Sequence, residues 1–440
     1  GHLGVRIKEI TKFYTPDGRR PKKGVSECTD IYEGPNLLLV DEGHKGGGTD
    51  GGTDSDWRSR REALAAGATE AHHGFTFEYS ATFAQIADKD DTLYREYARC
   101  VAIDFGYARF WREGYGKQPR QINARAEAGA DFALAAGLLA FHQQRLAFAE
   151  HPVLAREYRV AAPLLACVGK DVTAGEADAD VAKLVAFLAR ACSQPAWLAQ
   201  QIDTVLAGAD PVQGNLGIPP LDLRWLRERM AQRQQSSADV AAELAHHVFG
   251  GAGELSIHLV SDNEIGLRSK GASHDAYFGL IRVGEAKKLA DNLSRHHIAT
   301  LGEPDRLTGS LFARLDADAN LSVLIGAKMF IEGWSSWRVS ALGLMNVGRS
   351  PGAEIVQLFG RGVRLRGRDF SLKRDEEGPP ELQVLQSLQV FGVRADYLQQ
   401  FLDTLAQEGV KQEVLHVPIT TTQTIDELGL QTLLPDDCRF

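Results

Sequence analysis

Asn36-Leu37-Leu38-Leu39-Val40-Asp41-Glu42-Gly43-His44 is the stretch on which the fold turns. A wholly apolar run that passes straight into two carboxylates reads as a strand buried on both faces of a helix-covered parallel sheet. Acids at the carboxyl end of such a strand sit where open α/β sheets hold their ligands. Outward from it, a Gly-, Thr- and Asp-rich loop spans Lys45 to Asp56, and a helical pattern covers Trp57 to Ala66. The β-rich run Phe75–Tyr79 then leads into Ser80-Ala81-Thr82. Strand, helix, strand is the rhythm of an α/β domain.

The rest of the chain continues in the same way. Long helices are expected from Arg120 to Tyr158, a buried strand at Ala162–Val168, and a helical insertion over about 176–250. Strand patterns follow at Leu255–Val260, Tyr277–Val283, Ser322–Ile325 and Val339–Met345, then a helix at Glu354–Arg364. Beyond Gly378-Pro379-Pro380 the pattern reads as helical to about Glu408. At 440 residues there is chain for two or three domains. The 44% apolar and 24% charged residues exclude a disordered tail or a coiled coil. No apolar run is long enough for a transmembrane helix. Five scattered cysteines with no CxxC pair fit a reducing cytoplasm better than a disulfide framework. The net charge of −9 hides a local reversal. Between Arg349 and Arg374 seven basic residues face only Glu354 and Asp369.

Two constellations carry chemistry. In nucleotide hydrolysis one carboxylate can hold Mg²⁺ through its waters while its neighbour orients the attacking water, roles that suit Asp41 and Glu42. The competing reading is an ordinary acidic loop start. The second constellation, Gln357-Leu358-Phe359-Gly360-Arg361-Gly362-Val363-Arg364, sets two arginines three residues apart on one helix face. Gln357 lies one turn before Arg361. A guanidinium pair matches phosphate geometry and can stabilise charge developing on a γ-phosphate; a solvated basic helix face is the plainer alternative.

Together these segments resemble superfamily 2 helicases of the DEAD/DEAH-box type. Asp41-Glu42-Gly43-His44 resembles their Asp-Glu-x-His box, Ser80-Ala81-Thr82 their Ser-Ala-Thr motif, and Gln357–Arg364 their QxxGRxxR motif. Phe330-Ile331-Glu332-Gly333-Trp334-Ser335-Ser336-Trp337-Arg338-Val339 is similar to the Glu-Gly-Trp segment in the helicase subunit of type III restriction enzymes and related defence helicases. Phe391–Tyr397 is similar to a segment of that group too. The resemblance covers about residues 30–400. It implies two RecA-like parallel-sheet lobes, the first incomplete, with a helical insertion and a helical C-terminal segment. The divisions would be 1–119 for the first lobe, 120–158 for a helical linker, 159–375 for the second lobe and 376–440 for an accessory segment.

The resemblance further implies an ATP-dependent DNA helicase or translocase. Asp41 would bind Mg²⁺ through water, Glu42 would be the catalytic carboxylate, and Arg361 and Arg364 would be arginine fingers. His44, Ser80, Ala81 and Thr82 would couple hydrolysis to lobe movement. Gly333, Gln357 and Gly360 would line the nucleotide. The implied cofactors are ATP and Mg²⁺, and the implied partners are double-stranded DNA and a methyltransferase or specificity subunit, with no membrane. An RNA helicase and a catalytically inactive module gripping nucleic acid or a partner stay open as alternatives.

Three departures stand out. Gly43 replaces the usual alanine, and Ser335 stands where many relatives carry aspartate. No GxxxxGK[ST] occurs anywhere in the chain, although in such helicases this phosphate-cradling loop precedes the Asp-Glu box. The sequence therefore reads as a fragment starting after the P-loop, expected to bind ATP poorly on its own. Other patterns are weaker. Gly46–Asp56 faintly suggests a calcium-binding repeat but is a single imperfect unit. Asp275 with Glu285-Ala286-Lys287 spaces like a nuclease metal site, yet reads better as a helix start. The pairs His72-His73, His246-His247 and His296-His297 have adjacent spacing unsuited to a shared ligand. Trp334 and Trp337 read as packing before base stacking.

Overall fold

The computed structural model describes residues 5–16, 26–43, 53–67, 74–80, 95, 97–122, 129–169, 180–207, 221–273, 276–327, 334–345 and 353–392. His44, Ala81, Thr82, Gly333, Asp275 and the His72-His73 pair lie outside the described residues.

The chain is mixed α/β. The strands are β1 (Phe13–Tyr14), β2 (Glu27–Cys28), β3 (Leu37–Asp41), β4 (Phe75–Tyr79), β5 (Gln118–Ile122), β6 (Leu164–Gly169), β7 (Leu255–Ser261), β8 (Glu264–Ser269), β9 (Gly279–Arg282), β10 (Thr300–Leu301), β11 (Val323–Ala327), β12 (Val339–Met345) and β13 (Ser387–Gly392). The helices used below are α1 (Thr53–Ala66), α2 (Tyr107–Arg112), α3 (Gly129–Glu150), α4 (Pro152–Glu157), α5 (Asp180–Ser193), α6 (Pro195–Ala207), α7 (Arg224–Arg233), α8 (Ser237–Phe249), α9 (Ala286–Arg295), α10 (Leu311–Arg314), α11 (Ala353–Gly362) and α12 (Pro380–Leu385).

Nine strands form one sheet in the order β10-β7-β8-β9-β11-β6-β12-β13-β5. Every pairing is parallel except those of β8, which follows β7 through the two-residue connection Asp262-Asn263 and runs antiparallel to β7 and β9. The central strands β6, β12 and β13 are buried along their whole length, as a parallel sheet covered on both faces requires. Along β6 the pleat sends Leu165 and Cys167 into one core, with α3, α5, α6 and α8. It sends Leu164, Ala166 and Val168 into the other, with α10 and α11.

Helix α3 is apolar nearly all round, and buried accordingly. At its centre Gly137 lets the Phe391 ring of β13 approach to 2.6 Å from where a Cβ would stand. Gly343 of β12 gives way to the other end of the same ring. Residues 129–150, read from sequence within a linker, are thus a core helix, and β5 is the edge strand of the large sheet. Residues 387–392, read as helical, form a buried strand between β12 and β5. A short apolar run does not tell these two states apart. Within the expected helical insertion α5, α6, α7 and α8 form, and pack with α3 into one core. The second strand of the β7–β8 hairpin has no counterpart in the sequence reading.

A separate two-stranded parallel sheet joins β3 to β4, with Leu37 opposite Phe75 and Asp41 opposite Tyr79, and α1 as the crossover. Here the opening expectation is corrected. β3 is a strand, but it is not buried on both faces: Leu37 and Leu39 are exposed, beside Phe75, Phe77 and Tyr79 on the same face. Only the alternate positions are shielded, on the side where α1 packs.

Phe391 is the fold prediction. Phe391→Ala should lower stability by about 3–5 kcal/mol, and Gly137→Ala by about 1–3 kcal/mol through overpacking. Because both act on one contact, urea denaturation of the double variant should show a cost well below the sum.

Candidate functional site

The carboxyl ends of β3 and β4 lie side by side, so Asp41, Glu42 and Ser80 belong to one edge of the small sheet. Glu42 is the first residue past β3, and its backbone is left-handed, with φ 54°. A glutamate rarely adopts this region, and such strain gathers at functional positions. Asp41 Oδ1 accepts the Glu42 backbone N–H at 3.0 Å, and the Gly43 N–H donates to the Tyr79 carbonyl at 2.9 Å, which fixes the turn. At Gly43 a Cβ would fall 2.6 Å from the Glu78 Cβ, a local reason for glycine where the resemblance expects alanine.

A relay of polar contacts supports this turn from below. The buried Arg61 of α1 donates to the Gly43 carbonyl at 3.1 Å and pairs with Glu78 at 3.2 Å. Tyr97 donates its phenol proton to Glu78 at 2.7 Å. Burial first, and that hydrogen bond second, push the Tyr97 phenol well above its ordinary range.

From the distant helix α11, Gln357 Nε2 donates to both Glu42 carboxylate oxygens, at 3.2 and 3.3 Å. The two residues are 315 positions apart. One turn further, Gly360 is exposed with open space where a Cβ would be. Arg361 donates to the Trp334 carbonyl, and Arg364 to the Ser335 hydroxyl. The site therefore brings together Asp41, Glu42, Ser80 and Gln357. Both arginines thus reach the 334–335 segment, and Arg364 also lines a basic notch with Arg159 and Arg366. Trp334 is buried against Phe312, as packing predicted, whereas Trp337 is half-buried beneath the Arg366 guanidinium.

Sequence reasoning missed Lys117 and Arg338. Lys117 is buried with its ammonium on the Trp337 and Val339 carbonyls, and burial pushes its pKa down to about 7. Arg338 is buried too, and donates to the carbonyls of Ala162, Asp318 and Leu321, locking the entry to β12. Nothing in their spacing marks them, because their partners are backbone carbonyls. Of the weaker patterns, Glu285 pairs with Lys288 at 3.3 Å on the surface. No group of three or more His, Cys, Asp or Glu among the described residues could hold a metal ion. No helix among them is long and apolar enough to cross a membrane.

The left-handed backbone at Glu42 makes a prediction independent of activity. Glu42→Gly should be more stable than Glu42→Ala by about 1–2 kcal/mol, measured by chemical denaturation, because only glycine escapes the steric cost of that conformation. Compared with protein-family models, with curated proteins and with solved structures, the chain finds no significant match.

Proposed function

We infer that the chain carries most of an ATP-driven motor of the superfamily 2 helicase class, acting on DNA as the motor subunits of type III restriction and related defence systems do. The large sheet would be the second RecA-like lobe, and the β3–β4 sheet part of the first. The observation that carries this reading is the pair of hydrogen bonds from Gln357 to Glu42. Two segments singled out separately, as an Asp-Glu box and as a QxxGRxxR helix, meet through the residues that the motor reading would have meet.

Asp41 and Glu42 suit that chemistry. Mg²⁺ is ordinarily held by one or two carboxylates plus waters and phosphates rather than by a protein cage. The exposed Asp41 carboxylate accepts a backbone N–H through one oxygen and keeps lone pairs for metal-bound waters. Mg²⁺ held there would neutralise charge on the transferring phosphoryl group. Glu42 would orient the attacking water and take its proton, and Gln357 would hold Glu42 in the correct rotamer. Arg361, one turn along, would swing from the Trp334 carbonyl to the phosphoryl charge on closure. The sequence supplies no GxxxxGK[ST] cradle, so the 440 residues alone are expected to hold nucleic acid without turnover.

The test is nucleic-acid-stimulated ATP hydrolysis by the longest in-frame product containing these residues. Glu42→Gln should lower kcat about 10²–10⁴-fold, and Arg361→Ala about 10³-fold, with DNA binding retained. Wild type no more active than either variant would refute the motor. Equal stimulation by RNA would move the assignment to an RNA helicase.

A further inference from the structure

The Gly367–Lys373 segment, beyond α11 and the Gln357–Arg364 motif, gathers several left-handed residues. In Gly367–Lys373 three residues other than glycine are left-handed: Asp369 (φ 53°), Phe370 (φ 59°) and Leu372 (φ 61°). For residues as bulky as Phe and Leu this is a genuine outlier. It persists because both ends are pinned. Leu372 N–H donates to the Arg366 carbonyl and Gly116 N–H to the Leu372 carbonyl, each at 2.9 Å. Arg374 donates to the Gly114 carbonyl through its backbone and to the Trp111 and Tyr115 carbonyls through its guanidinium. The product of this strain is that Phe370 and Leu372 stand 56% and 43% exposed.

Around the loop five basic side chains are laid on aromatic rings, among them Arg374 over Trp111. Arg159, itself left-handed at φ 53°, lies 4.3 Å over Phe370. Arg366 lies over Trp337, Arg368 over Tyr158, and Lys373 over Tyr115. Beside them is a notch lined by Lys117, Arg159, Arg338, Arg364, Arg366 and Trp337, with no carboxylate in its lining. At about 10 Å³ it admits nothing larger than a water-sized group, so an anion would sit across its mouth. Arg368 pairs with Glu157, but among the described residues Arg159 and Arg366 have no carboxylate partner.

An exposed aromatic ring set among guanidinium groups without carboxylate partners is what a single strand of nucleic acid requires: a π-face for an unpaired base and cations for its phosphates. In a duplex the base faces are stacked away from such a ring. We propose that the Gly367–Lys373 loop and its flanking arginines form a contact for single-stranded nucleic acid. An unpaired base stacks on Phe370, and the adjoining phosphates lie against Arg159 and Arg366. The surface rests on its own residues and deepens the motor reading by giving the track a point of contact away from Glu42.

The experiment uses the whole chain without nucleotide and a fluorescent oligothymidine of about 16 nucleotides, with binding read by anisotropy across a salt series. Phe370→Ala should weaken binding about tenfold with the salt slope unchanged, and Phe370→Trp should restore it. Arg366→Gln and Arg159→Gln should each reduce the slope of log K against log salt by about 0.7. A 2-aminopurine base in the strand should be quenched by wild type and not by Phe370→Ala. Phe370→Ala binding as tightly as wild type would overturn the proposal. So would a duplex that binds equally well and depends equally on Phe370. Glu42→Gln should bind as wild type does, so failure of the motor reading and failure of this contact give different results.

Discussion

Parallel pairing is the constraint from which the rest follows. Each parallel strand must begin at the same end of its sheet as its neighbour, so the chain has to cross back, and a helix is the compact way to do it. All the carboxyl ends then lie along one edge. In the small sheet this sets Asp41, Glu42 and Ser80 together, although α1 intervenes in sequence. In the large sheet, β11 and β12 pair with β6 on either side, so the 334–335 segment and α11 follow strands whose carboxyl ends share an edge. The contact between Glu42 and Gln357 joins two edges, each built by the same rule.

Around that contact, rigid and strained elements divide the work. The β6–β12–β13 centre is buried, and at the entry to β12 Arg338 is tied to the backbone carbonyls of Ala162, Leu315, Asp318 and Leu321. Such a centre holds α11 firmly against β12. Strain is confined to places with little to bury. Glu42 lies past the end of β3, and the 369–372 loop lies on the surface. Strain of this kind costs on the order of 1–3 kcal/mol per residue and persists only where the surroundings over-determine it. The Asp41 turn and the pins on the 111–116 segment supply that determination.

Much of the fold was legible in the sequence, for identifiable reasons. Val339–Met345 is recovered to the residue, and α1, β4, β6, β7, β11 and α11 within a few residues, because apolar runs bounded by Gly, Asp or charged residues leave few other readings. What failed was depth and state. Leu37–Val40 has the composition of a doubly buried strand, but burial depends on what lies across the sheet, which a local window does not contain. Ser387–Gly392 and Gln118–Ile122 lie at the two ends of a span of more than 200 residues, and what makes them strands is distant pairing, β5 on β13 and β13 in turn on β12. Of the site, the Asp41-Glu42 pair and Gln357 were readable as residue types in order. Lys117, Arg338 and the strained Phe370 loop were not, since backbone carbonyl partners and positive φ values leave no mark on bulky residues in a sequence.

The central claim is that the segment after β3 and the helix α11 form one site, and proximity can be measured without any activity. Gln357→Lys would set an amine against the Glu42 carboxylate, where a zero-length carbodiimide joins only groups in direct contact. Peptide mass spectrometry should then find an isopeptide between Glu42 and the new amine, lost when Glu42→Gln is added. No such cross-link in a folded Gln357→Lys protein would contradict the account.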